Sequence, residues 1–178
     1  MIAKAARLAD GLSLWVGRIG MALIAALVVV VFYEVFARYA LGAPTVWAYD
    51  LTYMMNGTIF LLGSGLALSK NLHVRIDFLS SRMPVRIQHL VNFLSYVLLL
   101  LPVFAILTHQ AFRKAWKAYL TGELEPVSVW APVIWPFMAG IALGLGCLLV
   151  QMLAETARHG LGMADPAAVR GPGESDDH

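Results

Sequence analysis

Residues 19–41 read IGMALIAALVVVVFYEVFARYAL, and this stretch decides the fold class. It carries only two charged residues, Glu34 and Arg38, both in its second half. A helix needs about 20 apolar residues to cross the hydrocarbon core of a bilayer, because each residue adds about 1.5 Å. The stretch is therefore predicted to be a membrane-spanning helix.

The composition of the whole chain agrees with a membrane protein. Of its 178 residues, 60% are hydrophobic and 13% are charged, whereas ordinary soluble domains are roughly 45–50% apolar. The single cysteine, Cys147, lies within an apolar run, so this chain alone can build neither a disulfide framework nor a paired-cysteine metal site. The net charge of +2 is small and the basic residues form no stripe with aromatic partners, which argues against nucleic-acid binding.

Four stretches are long and apolar enough to cross a bilayer, which predicts an all-α integral membrane protein. The predicted spans are residues 12–41, 46–69, 85–119 and 130–156. They form one four-helix domain over residues 1–158, and we expect the polar tail, residues 159–178, to be disordered. The third span would be roughly 54 Å long, so we expect it to be tilted. Gly42 and Pro44 separate the first two spans, and Thr45 is the predicted N-cap of the second.

The distribution of lysine and arginine predicts that both termini are cytoplasmic, because cytoplasmic flanks retain basic residues. Nine basic residues fall on the predicted cytoplasmic side: Lys4, Arg7, Arg18, Lys70, Arg75, Arg82, Arg86, Arg158 and Arg170. Four fall on the opposite side: Arg38, Arg113, Lys114 and Lys117.

Charged residues near the outer end of the first span are predicted to form a structural network. Glu34 and Arg38 lie one helical turn apart with the acid first, which is the favourable order for an ion pair. Asp50, at the start of the second span, could join Arg38 across the turn at residues 42–45. We favour structural pairing over a transport role, and both interpretations stay open.

The interior of the predicted spans offers little for chemistry. The main polar residues at depth are uncharged: Asn56, Thr58, Ser64, Asn92 and Ser95. A transporter that holds its own ion or substrate site usually has buried ionisable residues or broken helices near the midplane. Hydrogen bonding between helices is therefore favoured over ligand binding, and the chain is not predicted to be an enzyme.

The histidines are not predicted to bind a metal or a haem group. His89 and His109 are about 30 Å apart along one predicted helix, so they cannot share a metal ion within one subunit. His73 lies in the loop between spans two and three, without a second ligand at helical spacing. No cofactor is expected.

The loop between spans two and three contains the sequence LHVRIDF, residues 72–78. If it is extended, His73, Arg75 and Asp77 lie on one side; if it is a short helix, His73 and Asp77 come together at one-turn spacing. In either case we interpret these three residues as a structural clasp between the spans.

Glycines favour close helix packing in two spans. Gly140 and Gly144 are four residues apart in the fourth span, and Gly63 lies in the second. Small residues allow helix backbones to approach closely in lipid. The partner of these faces could be another helix of this chain or a second membrane protein, and the pattern does not separate the two.

Three segments together resemble a known family. They are FARYALGAPTVWAYDLT (36–52), GSGLALSKNLHVRIDFLSSRMP (63–84) and PVIWPF (132–137). The most specific parts are Arg38, Pro44 and Trp47 in the first segment, and the string from His73 to Asp77 in the second. In this order, residues 12–157 resemble the small membrane subunit, the DctQ type, of tripartite ATP-independent periplasmic (TRAP) transporters.

The resemblance implies a multi-pass subunit of the cytoplasmic (inner) membrane of a bacterium or archaeon. It implies sodium-driven uptake of an organic acid, with a large membrane subunit of about twelve spans and a periplasmic substrate-binding protein as partners. The small subunit would brace the large one in the lipid bilayer and contribute to docking of the binding protein. Residue charge, rather than the family motif, suggests the docking contacts: Arg113, Lys114, Lys117, Glu123 and Glu125, with Asp50.

Two other classes of function remain open from the sequence. The chain could be the membrane anchor of an oxidoreductase, with histidines binding haem. It could also be a self-sufficient small channel or carrier built on the glycine faces. A haem absorption band would support the first alternative, and flux through the chain alone in liposomes would support the second.

Overall fold

The structure is a computed structural model that describes residues 2–70 and 85–164. Over these residues the elements are α1 (Ile2–Ala40), α2 (Ala48–Ser69), α3 (Val85–Ser95), a π-helical turn (Tyr96–Leu100), α4 (Leu101–Thr121) and α5 (Trp135–Ala164). Four stretches are long and apolar enough to cross a membrane: Ala6–Ala40, Ala48–Ser69, Phe93–Thr121 and Trp135–Arg158. The prediction of an all-α protein with four membrane-spanning helices is confirmed.

The first and last helices are longer than their apolar stretches. α1 begins at Ile2 rather than near residue 12, and α5 continues to Ala164, beyond the boundary expected at residue 158. Packing explains the extension of α1, because its Ala6 and Ala9 form a buried cluster with Ala154 of α5. Residues 165–178 of the predicted tail lie outside the described residues.

The third span is one continuous helix with a π-helical turn in its middle. Leu101 donates its backbone N–H to the carbonyl of Tyr96, five residues earlier. Pro102 follows directly, and a proline has no N–H and crowds the carbonyl four residues before it. The π turn fits this sequence because it replaces the four-residue hydrogen bonds that Pro102 cannot continue.

The loop between α4 and α5, residues 122–134, folds back on itself. Gly122 ends α4 in the left-handed region (φ 61°) and donates its N–H to Ala118. Leu124 and Val133 form an isolated antiparallel bridge. Because the loop occupies these residues, α5 begins at Trp135 rather than near residue 130.

α5 occupies the centre of the bundle and contacts α1, α2, α3 and α4. We call the end with residues 41–47 and 122–134 the turn end, and the end with the first turns of α1 and the last turns of α5 the terminal end. A buried cluster near the turn end joins Met54, Ala118 and Ile134. A second cluster, towards the terminal end, joins Leu68, Leu148 and Met152.

Much of the apolar surface is left exposed by this packing. Of the most hydrophobic window in each span, 39% is buried in α5 and 22% in α2, but only 6% in α1 and in the third span. Contiguous apolar surface of this extent requires lipid or a protein partner.

Candidate functional site

The turn between α1 and α2 is held by the carboxylate of Glu34. Its Oε1 accepts hydrogen bonds from Arg38 Nε at 2.9 Å and from Nη2 at 2.5 Å. Its Oε2 accepts from the backbone N–H of Thr45 at 3.0 Å and from the Thr45 hydroxyl. The expectation that Thr45 caps α2 is wrong, because Trp47 is the N-cap residue and makes no side-chain capping bond. Thr45 instead donates its hydrogen bonds to Glu34 on the preceding helix.

An aromatic pair lies beside this turn. The rings of Tyr33 and Trp47 stack with centroids 5.7 Å apart and an interplanar angle of 24°. Stacked pairs of this kind contribute roughly 0.5–1.5 kcal/mol beyond their buried area. The end of α1 is therefore joined to the start of α2 by both polar and aromatic contacts.

Asp50 lies in the first turn of α2 and is bonded to a different element from the one expected. It is 4% exposed, and its Oδ2 accepts a hydrogen bond from the hydroxyl of Ser128 in the 122–134 loop. The same Ser128 oxygen accepts the backbone N–H groups of Trp130 at 3.0 Å and Ala131 at 3.3 Å. The structure thus brings Glu34 and Arg38 together, while Asp50 ties α2 to the loop before α5.

A second hydrogen bond joins α2 to the same loop. Tyr53, one turn after Asp50, donates its hydroxyl to Glu125 Oε2 at 2.8 Å. Its ring packs edge-on against Phe137 of α5, with centroids 5.7 Å apart. The loop is therefore fixed to α2 at two points, through Glu125 and Ser128.

An open pocket of about 880 Å³ lies between α2 and this loop. Its charged lining residues are Asp50, Lys114, Glu123 and Glu125. Its other lining residues are largely apolar or aromatic: Val46, Tyr49, Tyr53, Pro126, Val127, Ser128, Val129, Ile134, Phe137 and Met138. We call this the turn-end pocket.

The predicted docking residues divide into two groups. Lys114, Glu123 and Glu125 line the turn-end pocket with Asp50. Arg113 and Lys117 are exposed on α4 and are not among the pocket's lining residues. The structure therefore gathers the predicted acidic residues at one place and leaves two of the three predicted basic residues outside it.

The crossing of α2 and α5 depends on glycines in both helices. A Cβ on Gly144 would lie 2.7 Å from the Cβ of Leu61 and 2.8 Å from its backbone carbon, and one on Gly140 would lie 2.7 Å from Thr58 Cγ2. On α2, a Cβ on Gly65 would lie 3.2 Å from Cys147 Sγ. The structure places Gly140 and Gly144 within this chain's own packing.

Gly63 differs from the other two glycines predicted to pack. Nothing lies within 4 Å of the position that its Cβ would occupy. Its face of α2 is therefore not closed by another helix of the described chain.

A polar cluster joins α1 to α5 at the terminal end. Gln151 is fully buried; it accepts a hydrogen bond from Ser13 Oγ at 3.0 Å and donates to Asp10 Oδ1 at 3.0 Å. Arg158 pairs with Asp10 at 2.5 Å and with Glu155 at 2.6 Å. We call these five residues the terminal-end cluster.

The sequence analysis did not predict the terminal-end cluster. Part of its signal was present, because Gln151, Glu155 and Arg158 lie at four- and three-residue spacing on one helix face. Asp10 and Ser13 were missed because α1 was expected to begin near residue 12. Pairing over more than 130 residues of chain leaves no local pattern.

His73, Arg75 and Asp77 lie outside the described residues. Within residues 2–70 and 85–164, no three histidine, cysteine or acidic side chains are grouped so that they could hold a metal ion.

Comparison with known proteins identifies the family of the chain. No individually curated protein matches the chain. The family model described as the DctQ component of tripartite ATP-independent periplasmic transporters matches residues 27–160, which is well over half of the chain. The family match and the four apolar helices make the chain a multi-pass inner-membrane protein. The matched family consists of transporter components, not of enzymes. It belongs to the DctQ family, the small permease subunits of TRAP transporters, which work with a large membrane subunit and a substrate-binding protein.

Proposed function

We propose that this subunit braces the large subunit of a sodium-driven transporter that imports an organic acid. The observation that carries the proposal is the contrast between a packed core and exposed apolar helices. Only 6% of the hydrophobic windows of α1 and the third span is buried within the chain. A large membrane subunit, of about twelve spans, would cover part of this surface and lipid the rest.

The arrangement of polar residues supports an accessory role for the chain. Its charged contacts lie at the two ends of the bundle, in Glu34–Arg38 and in the terminal-end cluster. Mid-helix hydroxyls such as Thr58 and Ser64 donate to carbonyls of their own helix. Transport would then depend on sites in the large subunit, which moves against a small subunit that stays fixed.

We also propose that the turn end is periplasmic and that both termini are cytoplasmic. Of the 13 basic residues, nine flank the spans on the terminal side and four lie on the turn side. The exposed rim of the turn end, with Arg113, Lys114, Lys117, Glu123 and Glu125, would contribute to docking of the binding protein. Cysteine labelling with a membrane-impermeant reagent at Thr121→Cys should succeed from outside the cell.

Coexpression tests the proposed function as a whole. The chain should copurify with the large subunit. In proteoliposomes, uptake of a radiolabelled carboxylate should require both membrane subunits, the binding protein and an inward sodium gradient. Flux through this chain alone would contradict the accessory role and support the alternative of a self-sufficient carrier. A haem absorption band in the purified chain would support the oxidoreductase anchor.

The loop residues His73, Arg75 and Asp77 are proposed to form a clasp between the second and third spans. The variants His73→Ala and Asp77→Ala should lower the amount of assembled complex in the membrane before they change substrate affinity. An altered half-saturating substrate concentration at normal complex abundance would contradict the clasp.

A further inference from the structure

Two valines stand out at the tip of the 122–134 loop. Val127 is 89% exposed and Val129 is 92% exposed. Between them Ser128 turns inwards and donates to Asp50, whereas both valines keep their side chains in contact with solvent. The tip is an apolar surface held on a fixed backbone.

The backbone of this tip is anchored on both sides. Glu125 donates its N–H to the carbonyl of Pro132 at 2.9 Å, and Ile134 donates to the carbonyl of Glu123 at 3.0 Å. The hydrogen bond from Tyr53 to Glu125 fixes the loop to α2. A surface that is already ordered loses little conformational entropy when a partner binds.

The charges beneath the tip favour a cation. Three carboxylates, on Asp50, Glu123 and Glu125, against one ammonium group, on Lys114, give the pocket lining a formal charge of −2. The groups that donate to two of these acids are the neutral hydroxyls of Ser128 and Tyr53. Hydroxyl donors orient a carboxylate but leave its charge uncompensated.

Asp50 supplies an acceptor inside the pocket as well as charge. The side chain is 4% exposed, and the hydrogen bond from Ser128 reaches Oδ2. Oδ1 accepts no hydrogen bond from any residue in the part of the chain that the structure describes. No buried side-chain oxygen or nitrogen of the described residues lacks a hydrogen-bond partner, so Oδ1 is open to the pocket, where a charged donor would bind it most strongly.

The shape and lining of the pocket narrow the choice of cation. The described acids are not grouped to share a metal ion. Phosphate headgroups and organic acids are repelled by the carboxylates. Lysine and arginine combine an apolar stem with a terminal cation, which suits apolar walls such as Ile134, Phe137 and Met138 beside the buried Asp50.

We infer that the turn-end pocket receives a lysine or arginine side chain of the periplasmic binding protein, with Val127 and Val129 packing on apolar surface around that side chain. The inference rests on the proposed docking function and specifies the chemistry of the partner. It assigns opposite roles to two neighbouring charges: Glu123 and Glu125 attract the partner, and Lys114 weakens its binding.

Uptake by the complete transporter tests this assignment. Both membrane subunits are reconstituted in proteoliposomes, and the initial rate is measured against the concentration of binding protein. The double variant Glu123→Gln/Glu125→Gln keeps the side-chain volumes and should raise the half-saturating concentration about tenfold without changing the maximal rate. Lys114→Gln is the matched control, since it removes the opposite charge from the same pocket and should lower that concentration.

Two further variants separate the charge from the apolar tip. Val127→Ser/Val129→Ser should also raise the half-saturating concentration, and this loss should persist at high salt. The effect of Glu123→Gln/Glu125→Gln should shrink as the salt concentration rises from roughly 0.05 to 0.5 M, because screening removes the attraction in the wild type too.

Several outcomes would overturn the inference. A change of the same sign for the acidic variants and Lys114→Gln would exclude a cationic occupant. A fall in maximal rate with unchanged half-saturation would mean that the pocket does not serve docking. Loss of the large subunit from the purified variant complex would assign the surface to that subunit. The proposed bracing role would survive all three results, whereas wild-type uptake that needs no binding protein would remove the docking function on which the inference rests.

Discussion

α1 and α5 are both strongly hydrophobic helices, yet they are used in opposite ways. In the most hydrophobic window of α5, 39% is buried inside the chain, against 6% in α1. α5 brings small residues to its crossings, with Gly140, Gly144 and Cys147 against α2. α1 presents large exposed side chains over the same depth, such as Val28, Phe32 and Phe36.

Side-chain size, rather than hydrophobicity, therefore decides which helix forms the core. The hydrophobic effect does not drive apolar helix surfaces together in lipid, because lipid tails are as apolar as the side chains. The face that packs is therefore the one that allows close approach of the backbones and polar contacts between helices. α1 meets α5 through Ser13, Asp10 and the alanines near the terminal end. Further along the chain, α1 packs against α2, where Gly17 contacts Leu66. The rest of its surface is available to lipid or a partner.

The largest effect is expected from Gly144→Ala on α5. The added Cβ would meet the Cβ and backbone of Leu61 at 2.7 and 2.8 Å, and a backbone cannot move aside cheaply. We expect the free energy of unfolding in detergent, measured by denaturant titration, to fall by about 2–3 kcal/mol. Gly63→Ala is the control, because its Cβ would meet nothing within 4 Å. Equal losses in the two variants would contradict the assignment of the packed face.

A smaller effect is expected where α1 is tied to α5. Asp10→Asn and Arg158→Gln should each lower the free energy of unfolding by about 1–2 kcal/mol, since the pair is only partly exposed. The double variant should lose less than the sum of the single losses, with a coupling of about 1 kcal/mol. Additive losses would show that the two charges do not stabilise each other.

At the other end of α1, two substitutions of Glu34 should differ. Glu34→Gln keeps an acceptor for Thr45 and loses only the ion pair with the half-exposed Arg38, so we expect a small loss in the free energy of unfolding. Glu34→Ala also leaves the Thr45 N–H without its acceptor and should lower the free energy of unfolding by more than Glu34→Gln does. The same unfolding titration distinguishes them, and equal losses would mean that the ion pair, not Thr45, carries the stabilisation.

The smallest effect on stability is expected from Phe32→Ala on the exposed face of α1. Phe32 is 71% exposed, so the isolated subunit should change by less than about 0.5 kcal/mol. If α1 braces the large subunit, the amount of that subunit retained on purification should fall. Ile106→Ala on α4, where the side chain is 63% exposed, provides the comparison. Stronger loss of the large subunit from the α4 variant would move the bracing face to the third span.

The four spans and two of the packing glycines were readable from the sequence because both signals are local. Apolar length identifies a span, and glycines four residues apart identify a face that permits close approach. Gly140 and Gly144 lie on the α2–α5 crossing, as one of the two open interpretations had it. Gly63 carries the same residue type but faces open space, because the rotation of a helix about its axis depends on its neighbours.

The contacts between distant segments were not readable for the same reason. Asp50 was expected to join Arg38 in the next turn of chain, but its partner is Ser128, 78 residues away. Thr45 was read as a cap from its position beside a helix start, whereas the carboxylate of Glu34 competes for it. The hydrogen-bond partner of each side chain depends on which element lies nearest in space. Composition and periodicity do not predict that proximity.

The π-helical turn at Tyr96–Leu100 has a consequence for how this helix tolerates changes in length. A π turn holds one residue more than the α-helical turn it replaces, so losing a single residue there would restore regular winding and leave both flanking faces in register. The same loss elsewhere between residues 85 and 121 would rotate one half of the helix by about 100° relative to the other and turn its packed face away from α5. This segment is therefore the point in the third span where the deletion of one residue is best tolerated.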